Sequence, residues 1–327
     1  MRIITANFGS YPRVGDESGQ MRLREAYQEW ELGKITDEEM EEIYRDYAKE
    51  VIKEQEEIGL DVVTDGLIRW YDPISHFARD IEGCEIDGLL RYFDTNFYFR
   101  KPVIKGDLSR DKPILKKEFI PAKKNASKIL KPVLTGPYTL AKHSVDKFYD
   151  NISELVFNFA DIISREVREL VNEGAEEVQI NEPAILENEE EFSIFSEAFR
   201  KIAKSKKDTQ LDLSFYFGDI APLYEYLQDL PTDLLGLDFT YSPDLLDMIT
   251  EIGSEKKLGL GLIDARNTKM EKIEEKVSIV RKIVPYVDAD EIYLQPSCGL
   301  EFLPRRRALE KLDRIVEIAD RAKGVLK

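Results

Sequence analysis

The sequence predicts an α/β fold, a (β/α)8 barrel of the TIM type with a β-hairpin insertion after the second strand. Short apolar runs rich in β-branched residues alternate with long amphipathic helical runs, the pattern of βα units around a parallel sheet. Eight such strands are expected. The chain also lacks the Gly-x-Gly-x-x-Gly turn that a doubly wound dinucleotide-binding sheet carries after its first strand. One barrel of 327 residues fits both observations.

The expected strands are short hydrophobic runs, as buried parallel strands are. They span residues 3–8, 61–64, 129–134, 177–180, 211–216, 234–239, 258–263 and 291–295. Helical patterns follow most of them, at residues 37–59, 152–174, 189–204, 221–227, 243–252, 269–285 and 304–322. Gly174 stands just past the last apolar residue of its helix, where a helix-ending glycine is usual. We therefore expect residues 1–327 to form one barrel domain.

Residues 81–128 interrupt this alternation. The segment contains two short aromatic runs, Tyr92-Phe93 and Phe97-Tyr98-Phe99, together with basic patches. We interpret it as a β-hairpin insertion in the loop after strand two. Long insertions in compact folds are more often functional than idle, so the segment is a candidate part of the site.

Composition argues against several classes of protein. The net charge of −17 does not fit a nucleic-acid-binding protein, which carries a basic footprint. No apolar run approaches the roughly 20 residues of a membrane span, and the N-terminus lacks the apolar region of a signal peptide. Cys84 and Cys298 are too few for a disulfide framework, which favours the reducing cytoplasm. We expect a small-molecule substrate.

Active sites of such barrels are formed by the C-terminal ends of the strands and the loops that follow. Most of the expected strands end in polar residues, glycine or proline, which are also ordinary turn residues. The candidates for substrate binding are Ser10, Arg13, Asp65, Asn181, Glu182, Asp264 and Arg266. A carboxylate beside an amide or a guanidinium, as in Asp264-x-Arg266, fits a polar or zwitterionic ligand. Arg266 could equally be a structural partner of Asp238 or Asp264.

Three further residues are candidates for catalysis. Cys298 lies at the exit of the last strand, where a cysteine can be a metal ligand or a nucleophile. Asp238 ends strand six, and His143 lies one turn after the Gly136-Pro137-Tyr138-Thr139 motif that follows strand three. Arg22 and Arg24 come soon after the first strand. They either hold the anionic tail of a donor or begin a solvated helix.

The strand-end motifs resemble those of the cobalamin-independent methionine synthase family over nearly the whole chain. The matching segments are Gly9-Ser10-Tyr11-Pro12-Arg13, Thr64-Asp65-Gly66, Phe93-Asp94-Thr95-Asn96, Gly136-Pro137-Tyr138-Thr139, Gln179-Ile180-Asn181-Glu182-Pro183-Ala184 and Cys298-Gly299-Leu300. That family builds two related barrels in one long chain. Its C-terminal barrel carries a zinc ion that activates homocysteine thiolate, and its N-terminal barrel is a zinc-free duplicate. This chain is most similar to the N-terminal barrel, with some features of the catalytic one.

The resemblance also defines where this chain departs from the catalytic barrel. That barrel binds zinc through a His-x-Cys at the end of strand five, a Glu at the end of strand six and a Cys on strand eight. Here strand five reads Ser214-Phe215-Tyr216-Phe217, strand six offers Asp238, and only Cys298 remains. We therefore expect no bound metal, because zinc sites take at least three protein ligands. Leu67 and Asn181 stand where carboxylates would hold the ammonium group of homocysteine.

Three functions remain open at this stage. The first is a methyltransferase that moves a methyl group from a folate or pterin, or from a corrinoid, to homocysteine or another thiol. The second is a zinc-free barrel that binds the methyl donor and acts with a separate zinc-bearing barrel or a corrinoid protein. The third is a barrel similar to uroporphyrinogen decarboxylase with a different substrate.

Overall fold

The structure is a computed structural model that describes residues 1–13, 15 and 21–325. Its strands are β1 (Arg2–Thr5), β2 (Val62–Val63), β3 (Glu82–Arg91), β4 (Tyr98–Ser109), β5 (Ile129–Leu130), β6 (Val133–Thr135), β7 (Val145–Asp146), β8 (Glu177–Asn181), β9 (Gln210–Ser214), β10 (Leu234–Asp238), β11 (Lys257–Ile263) and β12 (Glu291–Pro296). Its α-helices are α1 (Arg22–Glu31), α2 (Asp37–Ile58), α3 (Ser75–Ala78), α4 (Lys116–Asn125), α5 (Pro137–Lys142), α6 (Ile152–Asn172), α7 (Phe192–Ala203), α8 (Tyr224–Leu227), α9 (Leu245–Ile252), α10 (Ile273–Ile283) and α11 (Arg305–Val325).

The expected α/β fold with a parallel central sheet is confirmed. Seven strands pair in the order β1-β12-β11-β10-β9-β8-β6, and every one of these pairings is parallel. The long helix α11 packs against β1 and β12, and residues of its inner face such as Leu312 and Ile315 are buried. Because all the strands run the same way, their C-terminal ends meet at one edge of the sheet. This edge carries the candidate site.

A second, two-stranded sheet lies beside β1. In it β2 pairs with β5 in parallel, and Ala6, just past β1, forms a parallel bridge with Val62. The expected strand 129–134 is divided into β5 and β6 at Lys131-Pro132. Proline has no backbone N–H to give to a ladder, which explains the break. Lys131 still donates its N–H to Val63 O at 2.9 Å, so the two pieces remain aligned.

The segment 81–128 contains the antiparallel pair β3–β4, and β7 adds to β4 in parallel. It also contains α4, which the sequence reading did not anticipate. A buried carboxylate fixes the end of this segment to α6. Glu166 accepts N–H groups of Ile114 at 3.0 Å and Leu115 at 3.1 Å and forms an ion pair with Arg110. The antiparallel pair is thus held at its base, and its far end reaches over the strand ends.

Two more helices, α3 and α5, were not expected from the sequence, and α1 was considered only as one of two readings of Arg22 and Arg24. Arg22 opens α1, so one of the two readings of that arginine, a solvated helix start, describes its position. The expected helix 37–59 is confirmed as α2, which begins at Thr36 with reciprocal hydrogen bonds to Glu39 and ends at Gly59 with φ 100°. Among the described residues no helix combines the length and apolar character that a bilayer crossing requires.

Candidate active site at the strand ends

A small cavity of about 40 Å³ lies at the C-terminal edge of the parallel strands. We call it the strand-end pocket. Its apolar walls include Phe8, Phe217 and Phe302. Its polar lining is Ser10, Arg13, Asp72, Asn181, Tyr92, Tyr216 and Glu301. The pocket therefore joins loops that are far apart in sequence, and three of the predicted substrate-binding residues, Ser10, Arg13 and Asn181, are among them.

Ser10 and Arg13 face a half-buried carboxylate, Glu301, that the sequence reading missed. The Ser10 hydroxyl donates to Glu301 Oε2, and the Ser10 carbonyl accepts the N–H of Leu300 at 3.1 Å. Burial raises the pKa of Glu301, while Ser10 and the charge of Arg13 oppose the rise. Arg13 itself donates to the carbonyls of Trp70 and, at 3.1 Å, Tyr71. This corner of the pocket therefore brings a half-buried acid close to a half-buried guanidinium.

Asn181 and its neighbour Glu182 point in different directions. Asn181 Oδ1 accepts a hydrogen bond from Gln179 at 2.8 Å, and the side chain lines the pocket. Glu182 is fully buried and accepts from Tyr138 N at 3.0 Å and from both Thr139 N and Thr139 Oγ1 at 2.7 Å. Burial raises its pKa to about 7. Glu182 thus positions the start of α5 and does not line the pocket.

Cys298 and Asp238 are neighbours, and both are buried. The thiol donates to Gly299 O at 3.6 Å. Burial raises the pKa of Cys298 well above its usual range, and the charge of Asp238 adds to the rise. Asp238 accepts from Thr240 N at 2.8 Å and Thr240 Oγ1 at 2.6 Å, and burial raises its pKa to about 6. In this arrangement Cys298 remains a thiol at neutral pH.

The state of Cys298 leads to a first prediction. In a Cys84→Ser background, which leaves one cysteine in the chain, iodoacetamide at pH 7 should label the folded protein at least about 100-fold more slowly than the urea-unfolded protein. The thiolate is the reactive species, and each unit of raised pKa lowers its fraction about tenfold. The rate follows from mass spectrometry of timed samples. Labelling of the folded protein at the unfolded rate would show an accessible, activated thiol instead.

His143 lies among aromatic rings rather than beside Cys298. Its Nδ1 is 3.1 Å from Thr139 O, and its ring centroid is 5.0 Å from that of Phe93 and 5.1 Å from that of Phe99. Burial lowers its pKa to about 4. The ring is therefore neutral at physiological pH and supports the segment that covers the pocket.

Arg266 pairs with neither of the partners considered from sequence. Its Nη1 donates to Asp94 Oδ1 at 3.0 Å and contacts the hydroxyl of Tyr241, while its guanidinium lies 5.0 Å from the ring centre of Phe217. Asp264 accepts the backbone N–H of Arg266 at 2.9 Å and so shapes the loop after β11. The structure thus brings Arg266 to the rim of the site through a contact with the β3–β4 segment.

Asp65, Arg22 and Arg24 lie outside the strand-end pocket. Asp65 Oδ1 accepts the N–H of Leu67 at 3.0 Å, and burial, followed by the charge of Glu118, raises its pKa to about 6. Arg22 forms an exposed ion pair with Glu50 at 3.0 Å. Arg24 lines a separate, larger cleft of about 620 Å³ between α1, α2 and the loop after β2. Arg13 borders both cavities.

Strained backbone is concentrated at the site. Five described residues other than glycine have a positive φ, and three of them are Leu67 at 50°, Phe93 at 49° and Phe217 at 67°. Leu67 and Phe217 line the pocket, and Phe93 packs on Phe217 with ring centroids 5.7 Å apart. Such conformations are costly for bulky side chains and cluster at functional sites.

The profile of a family described as cobalamin-independent synthase, catalytic domain, matches residues 3–321. The chain belongs to this family. A methionine synthase of Saccharolobus solfataricus is 33% identical over 317 residues, which cover 96% of this chain and 92% of that protein. A methionine synthase of Pyrococcus horikoshii is 30% identical, covering 97% of this chain and 91% of that protein.

A solved structure shares the fold of this cobalamin-independent synthase family member. The structure of a B12-independent methionine synthase from Shewanella sp. W3-18-1 superposes with a TM-score of 0.81 at 21% identity and covers 98% of each chain. At that identity the likeness concerns the fold alone.

The zinc that the family resemblance implies does not fit the residues present in this family member. The described residues contain no group of three His, Cys, Asp or Glu side chains placed to hold a metal ion. Cys298 lies close to Asp238, but both oxygens of Asp238 accept hydrogen bonds from the protein's own loop groups. His143 lies in the aromatic cluster. Cys298, Asp238 and His143 therefore do not form a metal site.

Sequence reasoning missed four polar residues of the pocket: Asp72, Tyr92, Tyr216 and Glu301. Tyr92 and Tyr216 meet hydroxyl to hydroxyl at 2.9 Å, although they are 124 positions apart. Such a contact leaves no local pattern. A signal existed for Glu301, because it directly follows the Cys298-Gly299-Leu300 motif, and for Asp72, which follows the second strand end.

Proposed function

We propose that this protein is a methyltransferase that moves a methyl group from a methylated pterin or a corrinoid donor to the thiol of homocysteine or a related thiol. The observation that carries the proposal is family membership over residues 3–321, together with relatives named methionine synthase that align over nearly their whole length. The polar strand-end pocket supports it, since its groups suit an amino-acid ligand.

The scaffold we propose is one closed (β/α)8 barrel, residues 1–327, with residues 81–128 inserted after its second strand. The bridge from Ala6 to Val62 and the pairing of Val62 with Ile129 support closure, because they link the two edges of the seven-stranded sheet through β2 and β5. A closed barrel would place all the strand ends around one central pocket. Two free cysteines support a location in the reducing cytoplasm.

Within this proposal the candidate residues in and around the pocket have different roles. Ser10 and Asn181 would bind the amino-acid part of the acceptor, and Arg266 its carboxylate. Glu182, Asp65 and Asp264 would be positioning residues that hold the loops of the site. Arg22 and Arg24, beside the larger cleft, would attract the anionic part of the donor.

Glu301 is the group we propose for the proton of the acceptor thiol. It lies in the pocket, accepts a hydrogen bond from the Ser10 hydroxyl and faces Arg13. Burial raises its pKa, which brings this carboxyl group closer to the range of a general base. Cys298 and Asp238 would shape the floor beside it as a neutral thiol and a loop-bound carboxyl. His143 would support the cover of the pocket.

A second function is favoured by one observation, the poor fit to zinc. The chain would then bind the methyl donor and act with a separate zinc-bearing barrel or a corrinoid protein that activates the acceptor. The two functions share the pocket, so the same assay distinguishes them.

The test is methionine formation by the purified protein, with L-homocysteine as acceptor and either 5-methyltetrahydropteroylglutamate or methylcobalamin as donor. The proposal predicts methionine from at least one donor with the protein alone, and at least about tenfold less with Glu301→Gln, the usual range for loss of a general base being about 10²–10⁴. Glu310→Gln, a similar change on α11 outside the pocket, is the control. Turnover only after addition of a zinc-bearing barrel would establish the second function, and no turnover in any mixture would contradict both.

A further inference from the structure

The connection between β3 and β4, residues 92–97, covers the strand-end pocket. We call it the tip. Tyr92 is buried and meets Tyr216 hydroxyl to hydroxyl at 2.9 Å, and the ring of Phe97 lies 6.2 Å from that of Phe302. Both tip residues line the pocket wall. The tip therefore occupies space directly above the groups that would bind a ligand.

The pocket beneath the tip is too small for an amino acid. Its volume is about 40 Å³, whereas pockets for drug-sized ligands measure about 300 Å³ and more. The rings of Tyr92 and Phe97 are the parts of the wall that belong to the tip, so moving the tip enlarges the pocket. The sheet beneath offers no comparable freedom, because its five inner strands are each paired on both sides.

Asp94, on the outer side of the tip, makes polar contacts with two side chains of neighbouring loops. Asp94 accepts from Arg266 Nη1 at 3.0 Å, and the Tyr241 hydroxyl lies 3.2 Å and 3.3 Å from its two oxygens. The Asp94 side chain is 63% exposed and that of Arg266 24% exposed. Ion pairs exposed to this degree contribute little to stability, because water screens them and competes for both partners. The contact can therefore exchange for another carboxylate.

We propose that Arg266 and Tyr241 form a carboxylate-binding site that Asp94 occupies in the closed protein, and that the carboxylate of an amino-acid ligand displaces Asp94 and releases the tip. Guanidinium and phenol groups are strong donors to a carboxylate, and a guanidinium can bind both of its oxygens. Binding of the ligand carboxylate and opening of the tip then occur together. The choice of an amino acid as ligand rests on the proposed function. The inference that the bonds of Asp94 to Arg266 and Tyr241 keep the tip closed does not.

The first experiment measures opening without any ligand. In the Cys84→Ser background, Cys298 lies buried near the pocket and reports opening through its rate of labelling by iodoacetamide at fixed pH. Asp94→Asn should label about two- to fivefold faster, the shift expected from losing one exposed ion pair. Tyr241→Phe should act in the same direction. Asp87→Asn, an exposed position on the same antiparallel pair, is the control and should leave the rate unchanged.

The second experiment measures ligand binding by calorimetry, with L-methionine as the probe and its methyl ester as the matched compound without a carboxylate. Asp94→Asn should lower the Kd of L-methionine about two- to fivefold, because the internal competitor is weakened. Arg266→Gln should raise it at least about tenfold, and the ester should bind weakly to every variant. Thermal unfolding of each variant confirms that it folds.

The outcomes separate this inference from the proposed function. Three results would overturn the inference. They are equal labelling rates for Asp94→Asn and the protein with Asp94, equal affinities for L-methionine and its methyl ester, and no binding of L-methionine. Methionine formation by the protein alone would still support the proposed function in that case. Conversely, opening and carboxylate-dependent binding without methyl transfer would uphold the inference and reject the activity.

Discussion

Replacing Glu182 with alanine is expected to lower the free energy of unfolding by about 3 kcal/mol or more, since a buried donor left without its partner costs about 1–3 kcal/mol. The substitution leaves three donors unpaired, the N–H groups of Tyr138 and Thr139 and the Thr139 hydroxyl. It also opens a void at a closely packed contact, where a Cβ on Gly136 would lie 2.2 Å from Glu182 Cδ. Chemical denaturation measures the loss.

Two control variants sharpen this result. Glu187→Ala removes an exposed glutamate from the same loop and should cost less than about 0.5 kcal/mol. Glu182→Gln retains the shape but cannot titrate. Burial raises the pKa of Glu182 from 4.5 to about 7, so its stabilising contribution is full below about pH 4.5 and declines as the pH rises through 7. The free energy of unfolding of the native protein should therefore fall relative to that of Glu182→Gln between pH 5 and 8. The same pH dependence of stability in both proteins would contradict the raised pKa assigned to Glu182.

Replacing Asp72 with alanine is expected to have a similar effect, about 3 kcal/mol or more, together with loss of the closed tip. Asp72 is buried and accepts from Ile74 N at 2.9 Å, Ser75 N and Ser75 Oγ at 2.5 Å, and Arg100 N at 3.0 Å. The bond from Arg100 ties β4 to the loop after β2. Removing the carboxylate therefore loosens the end of β4 next to the tip as well as the wall of the pocket.

The measurement for Asp72→Ala combines denaturation with hydrogen exchange of β4. The amides of β4 should exchange faster than in the native protein, whereas those of β11 and β12 should change only with global stability. Asp111→Ala, an exposed position in the same 81–128 segment, serves as the control. Uniform acceleration across the whole sheet would show that Asp72 stabilises the fold without a specific link to the tip.

The parts of the fold that depend on local chemistry were open to prediction. Leu258-Gly259-Leu260-Gly261-Leu262-Ile263 reads as a buried parallel strand and is found within β11. Pro132 divides a strand that the hydrophobic pattern alone made continuous, and its missing N–H could have indicated that break. Helix α4 was not predicted, because the aromatic runs before it are typical of strands.

The site was predictable only in part, because its decisive contacts are long-range. Arg266 was recognised as a polar residue at a strand end, but its partner Asp94 is 172 positions away in the tip. The Cys298 motif indicated the family, whereas the burial that keeps its thiol protonated depends on the packing of several strand ends. Glu182 was predicted to bind substrate, but both of its carboxylate oxygens accept hydrogen bonds from backbone N–H groups of α5.

The most direct test of this account is a crystal structure of the protein grown with L-selenomethionine, whose selenium is located by anomalous scattering. The account predicts selenium in the strand-end pocket near Cys298 and Glu301, the ligand carboxylate on Arg266 and Tyr241, and residues 92–97 displaced from their closed position. Selenium in the cleft beside Arg24, or a bound ligand under an unmoved tip with Asp94 still on Arg266, would contradict it.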